Sequence, residues 1–133
     1  MENIIHRHSC EVAFSDTDAS GWVHFSKILT YAENAEHDFM GKLGIVVFDR
    51  AGGGWPRVKV SCEYKRPLVF QDRIEVLLSL DHVGVSSLVW KFEILKTDGT
   101  LAARCEMVAV KVNECGEVAG ITEFEKKLLE GGV

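Results

Sequence analysis

The sequence has no long apolar run: none approaches the length of about 18 residues that a membrane-spanning helix requires. The first residues, MENIIHRHSC, lack the apolar core of a signal peptide. Basic residues are few, since 15 Lys and Arg against 20 Asp and Glu give a formal net charge of −5. A chain of this charge has no general attraction for nucleic acid or anionic lipid. These absences predict a cytoplasmic protein without nucleic-acid or membrane partners.

Paired metal-binding or redox cysteines are also missing. None of the four cysteines lies in a C-x-x-C pair, which argues against a zinc ribbon or a thioredoxin-type site. Cys62 and Cys105 lie in phase with apolar residues and are predicted to be reduced and structural. His6 and His8 have a spacing typical of metal ligands on a strand, but no third ligand is evident, so no metal site is predicted.

Residues 14–26, FSDTDASGWVHFS, begin like a calcium-binding EF-hand loop, with Asp16-x-Asp18-x-Ser20-Gly21. An EF-hand needs a bidentate Glu at the twelfth position, and Lys27 stands there instead. The preceding residues alternate like a strand, whereas an EF-hand requires an entering helix. The motif therefore needs another explanation.

The 133 residues, of which 47% are hydrophobic, predict a single domain over residues 1–133. A strand is expected from Ile5 to Phe14, with Cys10, Val12 and Phe14 in one phase. Residues 26–43 change to helical period, with Ser26 as the expected N-cap and Gly44 as the stop. The apolar stripe of this helix contains two alanines that allow close approach to a sheet: Ile28, Ala32, Ala35, Phe39 and Leu43.

Four further strands follow the loop DRAGGGWP, which is predicted to be flexible and lacks the Lys-Ser/Thr of a P-loop. The third and fourth of them are joined by the hairpin turn TDGT at 97–100, and the last runs from Leu101 to about Val112. Thr122 and Glu125 form an expected capping box for a short helix. The alternating apolar positions of the first three strands are Val58, Val60, Cys62 and Tyr64; Ile74, Val76, Leu78 and Leu80; and Leu88, Trp90, Phe92 and Ile94.

One long helix against an antiparallel sheet predicts an α+β protein. Some strands also carry apolar residues in the opposite phase (Val85, Val89 and Leu95), which favours burial by a partner subunit. Two stretches, DTDASGWVHFSKILTYAENAEHDFMGKLGI at 16–45 and WPRVKVSCEYKRPLVFQDRIEV at 55–76, resemble the 4-hydroxybenzoyl-CoA thioesterase family. The resemblance implies the hotdog fold, with one central helix wrapped by a five- to six-stranded antiparallel sheet.

The resemblance also implies which residues do the chemistry. The second Asp of the motif, Asp18, corresponds to the catalytic carboxylate, and the backbone amide of Phe25 corresponds to the donor to the thioester carbonyl. Gly21 matches the turn glycine of the motif. His24 lies one residue before the position at which some relatives carry a histidine, and it is either a pocket residue or a surface residue at the helix start.

These residue types suit thioester hydrolysis. The N–H groups of a helix start are unpaired and favour developing negative charge on an oxygen. Asp18 is expected either to attack the carbonyl directly or to activate water as a general base, and both routes stay open. Asp16 is expected to fix the loop through backbone N–H groups.

Several other residues have two interpretations. Glu33 and Glu36 lie on the helix, where some other hotdog thioesterases place their catalytic carboxylate, but they are expected on its solvated or interface face. The cations Arg57, Lys59, Lys65, Arg66 and Arg73 form a local basic cluster, read either as a solvated strand face or as partners for CoA phosphates. The resemblance implies that substrate lies between subunits, with residues near Pro56 to Val60 of one chain facing the motif of another. The residues expected to contact substrate are Trp22, Pro56, Arg57, Val58 and Lys59.

The sequence therefore predicts an acyl-CoA thioesterase that converts an acyl- or aryl-CoA to the free acid and CoA. It needs no cofactor, because CoA is part of the substrate, and it is expected to form a homodimer or homotetramer. One alternative is a hotdog enoyl-CoA hydratase or dehydratase, although His24 and Asp18 do not have the sequence spacing expected of its His–acid pair. The other is a non-catalytic acyl-CoA or acyl-carrier binding protein.

Overall fold

The computed structural model describes residues 3–131 and contains a five-stranded antiparallel sheet, one long helix and a short second helix. The elements are β1 (His6–Glu11), a 3₁₀ turn (Phe14–Asp16), α1 (Phe25–Lys42), β2 (Phe48–Asp49), β3 (Gly53–Gly54), β4 (Arg57–Tyr64), β5 (Arg73–Val83), β6 (Ser87–Lys96), β7 (Leu101–Val110) and α2 (Glu123–Gly131). The strand order in the sheet is β1-β5-β6-β7-β4, and a separate two-stranded hairpin is formed by β2 and β3. This confirms the predicted α+β architecture.

The N-cap of helix α1 lies two residues earlier than predicted. His24, with extended backbone angles, is the N-cap, and its carbonyl accepts the Lys27 N–H at 2.8 Å. The expected N-cap, Ser26, therefore lies inside the first turn. The helix ends as predicted: Gly44 has a φ of +79°, and the N–H of Ile45 bonds to the carbonyl of Met40 at 2.9 Å. This is the 6→1 bond of a Schellman motif, which favours glycine at position 44.

The apolar stripe of α1 packs against β1, β5 and β7. Ala32 and Ala35 are completely buried, so the helix backbone approaches the sheet closely, as predicted. Phe39 meets Trp90 of β6 edge to face, with ring centroids 6.1 Å apart. Burial of each large apolar side chain contributes roughly 1.5–3 kcal/mol, which fixes the position of the helix on the sheet. Among residues 3–131, no helix has the length and apolar character needed to cross a membrane.

The first strand is shorter than expected, and Phe14 is not part of its buried face. β1 ends at Glu11, and the chain turns at Phe14–Asp16. Val12 is fully buried, but Phe14 is 71% exposed and contacts the ring of Phe70. The strand alternation was extended too far because the 3₁₀ turn changes the direction of the side chains.

β4 lies at an edge of the sheet and pairs only with β7. The predicted inward phase of this strand is not buried within the chain: Val58 is 62% exposed, and Val60 and Tyr64 are exposed as well. Cys62 is half-buried, and its Sγ lies 3.0 Å from that of the buried Cys105. An edge strand lacks a neighbour to cover it, so alternation alone did not predict burial here.

The loop DRAGGGWP contains β3 and the last residue of β2, a hairpin that the sequence did not predict. Gly54 exchanges two backbone hydrogen bonds with Val112, at 3.1 and 2.9 Å. Gly53 has a φ of +92°, and a Cβ there would collide with the Val112 carbonyl oxygen. The glycines therefore permit close approach of this hairpin to the segment after β7.

Two local predictions near the end of the chain are confirmed. In the TDGT turn, Gly99 has a φ of +86°, and the N–H of Lys96 bonds to the carbonyl of Thr100 at 2.9 Å. Thr122 and Glu125 form the reciprocal capping box, with each backbone N–H donating to the other side chain, at 2.9 and 3.1 Å.

Candidate functional site

The loop between the 3₁₀ turn and α1 is a tight turn closed by its own backbone. The N–H of Gly21 donates to the carbonyl of Asp18, and the N–H of Asp18 donates to the carbonyl of Trp22, both at 3.0 Å. Gly21 has a φ of +86°, a left-handed conformation that strains any residue with a Cβ. The motif glycine is therefore required by the backbone of the turn.

The carboxylate of Asp18 is held by hydrogen bonds and stays accessible. Its Oδ1 accepts the backbone N–H of Ser20 at 2.9 Å and the hydroxyl of Ser20 at 2.5 Å, and its Oδ2 lies 3.2 Å from Nδ1 of His24. The Ser20 hydroxyl, then the Ser20 amide and His24, hold the pKa of Asp18 below its ordinary value. The side chain is 41% exposed. Asp18 is thus an ionised carboxylate within reach of a ligand.

The start of α1 lies beside this carboxylate. The N-cap, His24, makes no side-chain capping bond, and its ring turns to Asp18 instead. Because the first turn of a helix has no intrahelical acceptors for its N–H groups, the amides that begin at Phe25 form a positive end next to a negative charge. Asp18 and His24 are six residues apart in the sequence, and the turn brings Oδ2 of Asp18 to 3.2 Å from Nδ1 of His24.

Asp16 joins the loop to the helix. Its Oδ2 accepts the hydroxyl of Tyr31 at 2.7 Å, and its carbonyl accepts the N–H of His24 at 2.8 Å. Burial is the main cause that raises the pKa of Tyr31, and the hydrogen bond to Asp16 raises it further. The hydroxyl therefore keeps its proton and donates a hydrogen bond to Asp16. Asp16 was expected to anchor the loop through backbone N–H groups, but its carboxylate bonds to Tyr31. Sequence reasoning missed Tyr31 because it reads as one more member of the buried helix face.

A cleft of about 300 Å³ opens at the helix start. Trp22 and Phe25 form one side of it, with Tyr64, Lys65 and Arg66 from the end of β4 and the turn after it. The hydroxyl of Tyr64 donates to the carbonyl of Phe25 at 3.0 Å, and burial is the main cause that raises the pKa of Tyr64 to about 12. Asp18 lies beside this cleft, in the turn that leads into Trp22, and does not line its wall.

A second cavity, of about 620 Å³, lies between the middle of α1 and the β2–β3 hairpin. Pro56 and Arg57, both expected to contact substrate, line it together with Trp55 and Glu33. Val58 and Lys59 line neither cavity and are exposed on β4.

Within one chain, the predicted site residues therefore fall into two groups. Arg57 contacts Glu33 and Glu36, and Glu36 lies eleven residues beyond Phe25, which is about 16 Å along a helix. The helix start and the Arg57 region do not meet in a single subunit.

The prediction of a solvated or interface face for Glu36 is wrong. This residue is 1% exposed, and its carboxylate accepts hydrogen bonds from both terminal guanidinium nitrogens of Arg57. Glu33 stays more exposed, with its Oε2 3.4 Å from Arg57. The sequence did contain a signal, because position 36 is four residues after Ala32 and three before Phe39, on the buried stripe.

The predicted basic cluster is dispersed in the folded chain. Arg57, on the edge strand β4, is paired with Glu36. Arg73 lies near the other edge of the sheet, on β5, 3.6 Å from Glu11 of β1. Only Lys65 and Arg66 line the cleft at the helix start, and Lys65 also pairs with Glu63 at 3.0 Å. The charges are close in the sequence but not on one surface, because β4 and β5 are separated by two other strands in the sheet.

His6 and His8 acquire a third potential metal ligand in the folded chain. Among residues 3–131, Asp38 of α1 joins them, with all three ligand atoms within 4.8 Å of one another. The sequence pattern did not reveal Asp38, because it lies on a different element.

The chain belongs to the thioesterase-like superfamily, whose family model matches residues 12–129. A protein of Aquifex aeolicus with a provisional esterase name is 32% identical over 68% of this chain and 73% of that protein. The 1,4-dihydroxy-2-naphthoyl-CoA hydrolase of a Synechococcus species is 27% identical over 77% of this chain and 74% of that enzyme. The solved structure of a gentisyl-coenzyme A thioesterase is 26% identical and covers 90% of this chain and 98% of its own, with a TM-score of 0.82. The predictions of a hotdog fold and of an enzyme of the thioester hydrolase class are confirmed.

The buried Glu36–Arg57 pair predicts a strong coupling in stability. Replacing one partner, in Glu36→Leu or Arg57→Met, leaves the other charge buried without compensation, which typically costs about 3–5 kcal/mol. The double variant should lose much less than the sum of the single variants. Urea denaturation of all four proteins measures this coupling. Glu33→Leu is the control and should change the free energy of unfolding by less than about 1 kcal/mol, because the Glu33 side chain is 45% exposed and its ion pair with Arg57 is screened by solvent. Additive losses would contradict the interpretation.

Proposed function

We propose that the protein is an acyl-CoA thioesterase of the 4-hydroxybenzoyl-CoA thioesterase branch, which hydrolyses an acyl- or aryl-CoA to the free acid and CoA. The observation that carries the proposal is the ionised, accessible carboxylate of Asp18 beside the start of α1, where the N-cap side chain makes no capping bond. The names of two relatives, a 1,4-dihydroxy-2-naphthoyl-CoA hydrolase and a gentisyl-coenzyme A thioesterase, support an aryl-CoA substrate.

The backbone amide of Phe25 is the proposed donor to the thioester carbonyl. As the carbonyl carbon becomes tetrahedral, its oxygen gains negative charge, and the positive helix end stabilises that charge. One such donor is typically worth about 3–4 kcal/mol of the activation barrier. A backbone donor also explains why the exposed side chain at position 25 is free to differ from the histidine of some relatives.

Asp18 is the proposed nucleophile or general base. As a nucleophile, it forms a C–O bond to the acyl carbon while the C–S bond breaks and CoA leaves as the thiolate; water then hydrolyses the mixed anhydride. As a base, it takes a proton from the attacking water. Ser20 occupies Oδ1 with two hydrogen bonds, so Oδ2, beside His24, is the proposed reacting atom. Either route uses only water and groups of this chain, and no cofactor.

The cleft at the helix start is the proposed binding site of the substrate, with the thioester at its mouth between Asp18 and the Phe25 amide. Trp22 and Tyr64 supply its aromatic surface, and Lys65 and Arg66 are placed to meet the phosphates of CoA. Pro56, Arg57, Val58 and Lys59 are proposed to reach the substrate from a second subunit, because within one chain they lie away from the cleft.

Asp18→Asn should abolish most of the hydrolysis, because an amide is neither a nucleophile nor a base at neutral pH. Thiol release from a panel of short, long and aryl acyl-CoA substrates, at matched protein concentration, measures the effect. We expect a loss of at least about 100-fold in kcat, which is the typical contribution of a positioned base. Circular dichroism should show an unchanged fold.

The control for that variant is Asp81→Asn, an exposed aspartate on β5, which should keep wild-type rates. Full activity of Asp18→Asn would contradict the assignment. Wild-type protein that binds acyl-CoA without turnover, and still binds as Asp18→Asn, would favour the non-catalytic binding protein instead.

The lowered pKa of Asp18 predicts the pH dependence of catalysis. The ionised form reacts, so kcat/KM should stay flat as pH falls from 7 and decline only below about 3.9, the usual aspartate value. Ser20→Ala removes the hydroxyl that lowers this pKa most and should move the acid limb to higher pH. Ser9→Ala, an exposed serine of β1, is the control. Identical acid limbs in all three proteins, or a limb near neutral pH typical of an imidazole base, would argue against Asp18.

We propose a homodimer or larger homo-oligomer that uses β4. Val58 and Val60 are exposed on this unpaired strand edge, a feature that monomers rarely leave uncovered. Sedimentation velocity should show a dimer or tetramer for the wild type and a shift to monomer for Val58→Lys/Val60→Lys. Val118→Lys changes a residue after β7 that is 68% exposed and should leave the mass unchanged. A monomeric wild type would rule out the arrangement.

One observation favours a second candidate function, an enoyl-CoA hydratase. Nδ1 of His24 and Oδ2 of Asp18 form a His–carboxylate pair at 3.2 Å, the arrangement that orients an imidazole as a base. Hydration of a 2-enoyl-CoA is followed as loss of the enoyl absorbance without release of thiol. We expect thiol release instead. Hydration without thiol release would replace the thioesterase proposal.

A further inference from the structure

We propose that His6, His8 and Asp38 form a binding site for a divalent transition-metal ion of the zinc type. Nε2 of His6 lies 2.7 Å, and Nδ1 of His8 lies 3.4 Å, from the same oxygen, Oδ2 of Asp38. All three ligand atoms lie within 4.8 Å of one another. This site is separate from the proposed thioesterase chemistry and does not depend on it.

Two elements that pack together build the site. His6 and His8 are two residues apart on β1, so their side chains share the face that looks toward α1, and Asp38 comes from that helix. β1 is fixed in register against β5, with His6 opposite Leu78 and His8 opposite Val76. The ring of His6 is also packed against Phe39, at 5.5 Å between centroids. The ligands are therefore positioned by the core and not by a mobile loop.

The donor set selects the class of ion. Two imidazoles and one carboxylate suit zinc and neighbouring transition metals, whereas calcium and magnesium prefer oxygen ligands alone. Zinc bonds of about 2.0–2.2 Å place tetrahedral ligand atoms roughly 3.3–3.6 Å apart. The 3.4 Å between His8 and Asp38 fits this spacing, whereas the 2.7 Å between His6 and Asp38 is a hydrogen-bond distance that a bound ion would have to widen. His8 and Asp38 are partly exposed, which gives an entry path and leaves a fourth position for water. Three protein ligands with one open position form a labile site.

Lys42 is the competitor that this site must displace. Its Nζ lies 3.3 Å from Oδ2 of Asp38, the oxygen that would bind the metal. The Lys42 side chain is 63% exposed and follows Asp38 by one helical turn, so it can move into solvent. Without metal, Asp38 is neutralised by Lys42; with metal, the ion takes over that role. Removing the lysine should therefore strengthen metal binding.

The site is far from the proposed catalytic residues. Asp38 lies thirteen residues beyond Phe25 on the same helix, about 20 Å away along its axis. A bound ion would join the edge strand β1 to α1 and stabilise the folded chain, since ligands that bind only the native state raise its stability. It would take no part in thioester hydrolysis.

Isothermal titration calorimetry of the full chain, with any affinity tag removed, tests the proposal with zinc chloride. We expect one ion per chain. His8→Ala and Asp38→Ala should each weaken binding by more than about tenfold, since even indirect ligand partners contribute that much. His82→Ala, a histidine on β5 outside the cluster, should bind as the wild type does, and Lys42→Met should bind more tightly. Thioesterase activity should stay unchanged in Lys42→Met and Asp38→Ala.

The electronic spectrum with cobalt(II) separates this site from binding at a cysteine. Nitrogen and oxygen ligands give the visible bands of a tetrahedral ion without the thiolate charge-transfer band that Cys115 or Cys10 would add. Circular dichroism checks the fold of each variant, and two ligand variants guard against misfolding of one. Absence of binding heat, a thiolate spectrum, or equal affinity in wild type, His8→Ala and Asp38→Ala would each overturn the proposal.

Discussion

The turn that carries Asp18 is attached to the long helix, and this attachment sets the geometry of the candidate site. Asp16 makes this attachment twice, through its carboxylate to the Tyr31 hydroxyl and through its carbonyl to the His24 N–H. Both partners belong to the start of α1 or to its buried face, so the turn cannot move without the helix. The helix in turn is held by its alanine-containing stripe against the sheet. A carboxylate and a helix start are thereby kept together by the core.

Charge is distributed unevenly along that helix. At its start, the negative Asp18 lies next to the positive end of the dipole and remains in solvent. At its middle, Glu36 is buried and compensated by Arg57. Near its end, Asp38 is shared by two histidines and a lysine. Burial therefore separates the exposed Asp18, the proposed catalytic group, from the buried Glu36, which holds β4 on the helix, and from the partly exposed Asp38, the proposed metal ligand.

Periodicity predicted most of the fold, because burial on one face repeats at 3.6 or 2 residues along α1 and the central strands. It failed at the edges: Phe14 and Val58 continue an apolar alternation past the point where a neighbouring element covers it. The family motif located Asp18 and the helix start but not Ser20 or Tyr31, whose roles depend on how the turn closes. Arg57 with Glu36, and Asp38 with the two histidines, are pairings between distant segments, and no local pattern contains that information.

The proposed mechanism requires a thioester held between Asp18 and the start of α1. A crystal structure with a non-hydrolysable analogue, in which a methylene group replaces the thioester sulfur, would show whether it binds there. We expect the carbonyl oxygen of the analogue at about 3 Å from the Phe25 amide nitrogen, with Asp18 Oδ2, or one water bound to it, facing the carbonyl carbon. An analogue bound in the Arg57 cavity of one chain, with its carbonyl away from both groups, would rule the mechanism out.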